Sequence, residues 1–159
     1  MMLDAIRWDT DLIRRYDLAG PRYTSYPTAA QFDGHIGSFD LLHALRESRK
    51  ALRPLSLYVH VPFCANICYY CACNKVITKD RGRALPYLQR LEQEIQLIAC
   101  HLDPAQKVEQ LHFGGGTPTF LSHDELRQLM AQLRKSFNLL DDDSGDYGIE
   151  IDPREADWS

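Results

Sequence analysis

No stretch of this sequence is apolar for anything near the roughly 20 residues that a helix needs to cross a bilayer, so no membrane-spanning helix is expected. The amino terminus, Met1-Met2-Leu3-Asp4-Ala5-Ile6-Arg7-Trp8-Asp9, lacks the apolar core of a secretory signal and carries acids early. A cytoplasmic location is the expectation. Cations are not in excess either: the net charge is -4. Binders of nucleic acid or of anionic membranes need a clustered basic face, so neither partner is expected. Low-complexity tracts are absent. What is left is a globular composition, 45% hydrophobic and 25% charged over 159 residues, enough for one domain with a core.

Cysteine is scarce except in one place. Of five cysteines, Cys64, Cys68, Cys71 and Cys73 fall within ten residues, and Cys100 stands apart. An odd count without a signal peptide argues against a disulfide framework. A tight group in a reducing compartment points to metal or redox chemistry.

Residues 1–37 read as an irregular arm with a short helix from about Thr10 to Asp17. The run Gly20-Pro21-Arg22-Tyr23-Thr24-Ser25-Tyr26-Pro27-Thr28 should be extended, because proline restricts both itself and its predecessor. Ser38 is placed to cap a helix to about Ala51, with Phe39, Leu41, Leu42 and Leu45 as apolar positions. A strand–helix rhythm follows. Leu55 to Val61 alternates, with Leu57, Val59 and Val61 on one face and Ser56, Tyr58 and His60 on the other. After the cysteines, a helix from about Leu85 to Leu102 carries Leu88, Leu91, Ile95, Ile98 and Leu102 on one stripe, and Pro86 suits its first turn. Val108 to Phe113 is a second strand, closed by Gly114-Gly115-Gly116. Ser122-His123-Asp124-Glu125 has a capping-box pattern and opens a helix with Leu126, Leu129, Met130, Leu133 and Phe137 on one face. A polar turn, residues 141–146, leads to a third strand from Tyr147 to Asp152.

That order predicts a parallel α/β sheet built from right-handed crossovers. The cysteine loop, the glycine loop and Glu150 all fall at carboxyl ends of strands, the edge that carries chemistry in such folds. Residues 1–53 are expected to form the arm and its helix, and 54–159 the sheet. Three parallel strands with two helices cannot cover both faces or close a barrel. The expectation is a piece of a longer polypeptide, or one that leans on a partner.

Cys64-x-x-x-Cys68-x-x-Cys71 sets three soft thiolates in one loop, the ligand type of iron–sulfur clusters. Three ligands on four irons leave one iron open for catalysis. Structural zinc is the competing reading, but it usually needs a second ligand pair a dozen or more residues away. None is visible, though His60 or His112 could supply a stray ligand. The glycine loop lacks both G-x-x-x-x-G-K-[ST] and G-x-G-x-x-G, so a phosphate loop is excluded. An ordinary turn, or exposed amides for a ligand, remain. Glu150 by itself reads first as a solvated strand-end acid, commoner for a lone glutamate than a binding group.

The run Tyr58-Val59-His60-Val61-Pro62-Phe63-Cys64-Ala65-Asn66-Ile67-Cys68-Tyr69-Tyr70-Cys71 resembles the signature of radical S-adenosylmethionine enzymes. The continuation Cys71-Ala72-Cys73-Asn74-Lys75 is similar to their oxygen-independent coproporphyrinogen oxidase branch. So are the Gly20–Thr28 arm, Leu111-His112-Phe113-Gly114-Gly115-Gly116-Thr117-Pro118-Thr119, and Glu150-Ile151-Asp152-Pro153-Arg154-Glu155. The resemblance implies a partial (βα)6 TIM-like barrel, with about its first three strands present here. It implies that Cys64, Cys68 and Cys71 hold a 4Fe-4S cluster whose open iron is chelated by S-adenosylmethionine, the source of a 5′-deoxyadenosyl radical. Contacts to that cofactor transfer to Tyr58, Tyr70, Gly115, Gly116, Thr117 and Glu150. A second S-adenosylmethionine is implied near Tyr70, Gly116 and Thr117.

The implied reaction converts two propionates of coproporphyrinogen III to vinyl groups, with an electron donor and an acceptor of unspecified identity. The implied full-length enzyme is a monomer. Cys73 is not expected to ligate the cluster; it handles substrate or radical, or is a bystander. Arg22 and Tyr23 either meet substrate propionates or simply pack over the barrel. Three rivals stand beside this reading. A haem chaperone of the same superfamily is opposed by Cys73 and the arm. A zinc module and an inactive truncated remnant of the oxidase complete the set.

Overall fold

The computed structural model describes residues 8–17, 31–69 and 71–154. The chain falls into two compact units, Met1–Gly37 and Ser38–Ser159. In the first, α1 (Thr10–Tyr16) is capped by Asp9, whose carboxylate accepts from the amides of Asp11 and Leu12 at 3.0 and 2.9 Å. The Gly20–Thr28 run, with Arg22 and Tyr23, lies outside the described residues.

The second unit begins with α2 (Ser38–Lys50). Ser38 is its first helical residue rather than its cap. The expected apolar face is only half used: Leu42 and Leu45 are half-buried, while Phe39 is 88% exposed and Leu41 is exposed too. The helix ends in a Schellman motif, with Leu52 at φ 47° and the amides of Arg53 and Leu52 donating to the carbonyls of Ser48 and Arg49. Gln106 holds this end down. Its side chain is 1% exposed. Nε2 donates to Arg53 O at 2.9 Å and to Ser48 Oγ at 3.1 Å, and Oε1 accepts from the Asp103 amide at 2.8 Å. The clamp ties α2 to the sheet, where the sequence reading grouped that helix with the arm. Replacing Gln106 by alanine strands several buried polar groups at once. The expected loss is about 2–4 kcal/mol, read as a lowered midpoint in urea unfolding.

The sheet is parallel. Its strands are β1 (Leu55–Val61), β4 (Lys107–Gly115), β5 (Asn138–Leu139) and β6 (Asp146–Ile149), with β4 paired to all three others. A second, two-stranded parallel sheet joins β2 (Phe63–Cys64) to β3 (Val76–Ile77) and brackets the cysteine loop. The crossovers are α3 (Ala84–Ala99), which a single 3-10 turn precedes, and α4 (His123–Ser136). The capping box at Ser122 and Glu125 is present, with both reciprocal hydrogen bonds.

Alternation decides the faces. Val59, Val61, Leu111 and Phe113 are buried in one core with Ile95, Leu129 and Leu133 from the helices. The ladder skips Glu109, since Leu55 pairs with Val108 and Ser56 with Gln110. That irregularity keeps both Val108 and Leu111 on the core side despite their odd spacing. The opposite face carries Tyr58, His60 and His112. Helix α3 stops at Ala99, three residues short of Leu102, which is nonetheless buried at 7% exposure. The third strand ends at Ile149, not at Asp152. Glu150 therefore lies just past it, although its amide still donates to Phe113 O at 2.9 Å.

Candidate metal centre and cofactor site

At the carboxyl ends of β1, β4 and β6 opens a cavity of about 560 Å³. Cys64, Cys68 and Cys71 line it together with Gly116, Thr117 and Glu150. The sequence named all six. Cys64 is buried at the end of β2; Cys68 and Cys71 are half-buried in the loop beyond, where the Cys71 amide donates to Cys68 O at 3.1 Å. All five cysteines are free thiols. Thr117 Oγ1 is 3.4 Å from Cys64 Sγ. Among the described residues, no three His, Cys, Asp or Glu side chains converge on a single ion position. The three cysteines instead line the wider cavity.

Cys73 is exposed but lines the same cavity. The two neighbouring thiols are pushed apart. The Cys73 amide holds the Cys71 thiol below its ordinary value, helped by Lys75. Burial, and then the Cys71 charge, push the Cys73 thiol up. Of the two, Cys71 is the more readily ionised thiol. Cys100 is exposed at the end of α3, its thiol donating to Leu97 O.

At the glycine loop the structure decides between the two readings the sequence left open. The loop's amides are not exposed. The amide of Gly115 donates to Glu150 Oε2 at 3.2 Å, that of Gly116 to Val61 O at 2.8 Å, and that of Thr117 to Phe63 O at 2.8 Å. Anything these residues offer a ligand must come from carbonyl oxygens or the Thr117 hydroxyl. The glycines answer instead to crowding. A Cβ on Gly114 would meet Tyr58 and Glu150 at 3.0–3.1 Å. One on Gly115, where φ is +114°, would fall 2.7 Å from the His60 ring.

Tyr58 and Gly115 do not line the cavity; they stand behind Glu150. Tyr58 lies opposite His112 in the ladder and stacks on it at 6.0 Å. His112 Nε2 is 3.4 Å from Glu150 Oε1. On the other side, Tyr58 Oη is 3.1 Å from His60 Nδ1, and His60 Nε2 is 2.9 Å from the Asn74 carbonyl. That carbonyl can only accept, so His60 carries its proton on Nε2 and accepts from the tyrosine through Nδ1. Burial and the facing Glu150 carboxylate push the Tyr58 phenol up, which keeps it a donor. The network runs from the exit of the cysteine loop to Glu150. Sequence reasoning mentioned both histidines only as stray zinc ligands. Their shared strand face with Tyr58 was the available signal. Asp152 and Arg154 also line the cavity, and only the family motif had marked them. Tyr70 lies outside the described residues.

A family model described as the radical SAM superfamily matches residues 58–154. The chain belongs to that superfamily. Membership implies a 4Fe-4S cluster and S-adenosylmethionine. Among relatives, an oxygen-independent coproporphyrinogen III oxidase of Pseudomonas aeruginosa is 78% identical over 99% of this chain and 34% of its own length. One from Mannheimia haemolytica is 46% identical over 95% of this chain and all of its own length. The solved coproporphyrinogen III oxidase of Escherichia coli, described as a radical SAM enzyme, superposes with a TM-score of 0.75 at 44% identity. That alignment covers 97% of this chain and 33% of the other. The chain thus spans about a third of the length of the Pseudomonas and Escherichia relatives, and its sheet is the corresponding portion of a radical SAM barrel. The residues present fit the implied groups: three free cysteines, one with its sulfur beside a hydroxyl, line the same cavity as a carboxylate.

Proposed function

We propose that this chain carries the cluster- and cofactor-binding site of an oxygen-independent coproporphyrinogen III oxidase. The observation that carries the proposal is the single cavity shared by Cys64, Cys68, Cys71, Thr117 and Glu150. When bound, the cluster and S-adenosylmethionine would supply the radical that abstracts a hydrogen from each of two propionates of coproporphyrinogen III; carbon dioxide leaves each, one electron per propionate passes to an external acceptor, and two vinyl groups of protoporphyrinogen IX result. In this reading Cys64, Cys68 and Cys71 hold the cluster, and the Thr117 hydroxyl orients the Cys64 sulfur. Glu150 accepts hydrogen bonds from the cofactor's hydroxyl or amino groups. It can do so because Gly115 and His112 fix the carboxylate from behind. Tyr58, held by His60, packs the back of that carboxylate. Gly116 and Thr117 form the wall beside the cysteines, and Tyr70 is assigned to the cofactor on the sequence motif alone. A second S-adenosylmethionine would share Tyr70, Gly116 and Thr117. No described helix is long and apolar enough to cross a membrane, and a cytoplasmic site of action is part of the proposal.

A second reading is binding without turnover. It is favoured by the open sheet, in which β1 and β6 each pair with β4 alone among the described strands. An anaerobic assay with reductant, S-adenosylmethionine, coproporphyrinogen III and an electron acceptor separates the two. Carbon dioxide and vinyl products, formed together with 5′-deoxyadenosine, establish the oxidase. Cofactor binding with none of these products establishes the second reading.

A further inference from the structure

Asp152 and Arg154 follow β6 and line the cavity beside Cys68. They form a rigid pair. Arg154 Nε donates to Asp152 Oδ1 at 2.9 Å, Nη2 donates to Oδ2 at 2.7 Å, and the Arg154 amide donates to Oδ1 at 3.0 Å. The two parallel N–H···O bonds fix the plane of the guanidinium. The carboxylate is the anchored half, its side chain 17% exposed against 60% for the arginine. Arg154 Nη2 also reaches the Cys68 sulfur, at 4.0 Å. Of the pair, the cation is the member in contact with the sulfur.

An exposed ion pair is ordinarily worth little to stability, and no stabilising role is needed to explain this one. Its consequence is electrostatic. The potential of an iron–sulfur cluster depends on nearby charge and on hydrogen bonds to its sulfurs, and groups behind the ligands tune the metal. A cluster gains negative charge on reduction, so a fixed cation at a ligand sulfur favours the reduced form. We infer that Arg154, oriented by Asp152, is a positioning residue that raises the reduction potential of the cluster through the Cys68 sulfur. The inference rests on the cluster reading above.

The test is a midpoint titration of the reconstituted full chain, followed by EPR, for the wild type, Arg154→Gln and Arg154→Lys. Iron and sulfide content is measured first. The expected result is a loaded Arg154→Gln protein with a more negative midpoint and an altered reduced-cluster signal, with Arg154→Lys between it and the wild type. Should a folded Arg154→Gln chain take up no cluster where Arg154→Lys does, the Arg154→Lys midpoint decides: a value more negative than the wild type supports the inference, and the wild-type value overturns it. A loaded Arg154→Gln protein with the wild-type midpoint and signal overturns the inference and leaves the cluster reading intact. So does failure of both variants to load, which would place the side chain in the folding of the loop. Failure of the wild type itself to hold a cluster overturns the cluster reading and this inference with it.

Discussion

Cys68→Ser will leave a folded chain that no longer holds a four-iron cluster. Cys68 is half-buried, lies in no helix or strand, and belongs to no core cluster. Its loss removes one ligand and little packing. Serine keeps the shape and replaces a soft sulfur ligand with a hard oxygen that binds iron clusters poorly. After anaerobic reconstitution, iron content and visible absorbance should fall to the background of the untreated chain, while far-ultraviolet circular dichroism is unchanged. Cys100→Ser, at an exposed thiol far along α3, should load like the wild type. Cys73→Ser should load as well, because Cys73 is exposed and outside the three-ligand spacing. Equal loading of the Cys68→Ser and wild-type proteins would remove Cys68 from the ligand set.

Gly116→Ala will damage the same site by a different route. A Cβ there would lie 2.7 Å from the carbonyl oxygens of both Pro62 and Phe63. These are backbone atoms, so no side-chain rotation relieves the contact. The Pro62 carbonyl accepts from the Val76 amide at 2.7 Å, and the Phe63 carbonyl from the Thr117 amide at 2.8 Å. Pushing them away breaks the β2–β3 bracket around the cysteines and the link to the glycine loop. Overpacking of this kind costs about 1–3 kcal/mol, and cluster uptake should fall with it. Gly37→Ala, where nothing lies within 4 Å of the added carbon, is the control and should unfold like the wild type. A Gly116→Ala chain with wild-type stability and wild-type loading would show that close approach is not why glycine stands there.

The long elements were legible because their signals are periodic. The alternation of Leu57, Val59 and Val61 gave β1, the stripe from Leu88 to Ile98 gave α3, and Ser122 with Glu125 gave the start of α4. Strands β2, β3 and β5 have two residues each, too few to carry a period. Yet β2 and β3 are what bracket the cysteine loop. The sequence left the glycine amides open between a turn and a ligand site, because their use depends on parallel pairing that continues past Phe113, which no local pattern reveals. His60 and His112 were on the right face by alternation. Only the register that sets Tyr58 opposite His112 makes them supports of Glu150. The α2 helix was legible as a helix but not in its attachment, since Gln106, distant in sequence, is what holds its end. The cysteine spacing could be read without the fold, and the structure adds that Cys64, Cys68 and Cys71 line one cavity.

The most direct measurement is EPR of the reconstituted, dithionite-reduced chain with and without S-adenosylmethionine. The expected result is a reduced-cluster signal that changes shape when the cofactor is added, because a cluster held by Cys64, Cys68 and Cys71 alone would leave one iron open. A folded chain that binds zinc stoichiometrically and forms no cluster would contradict it.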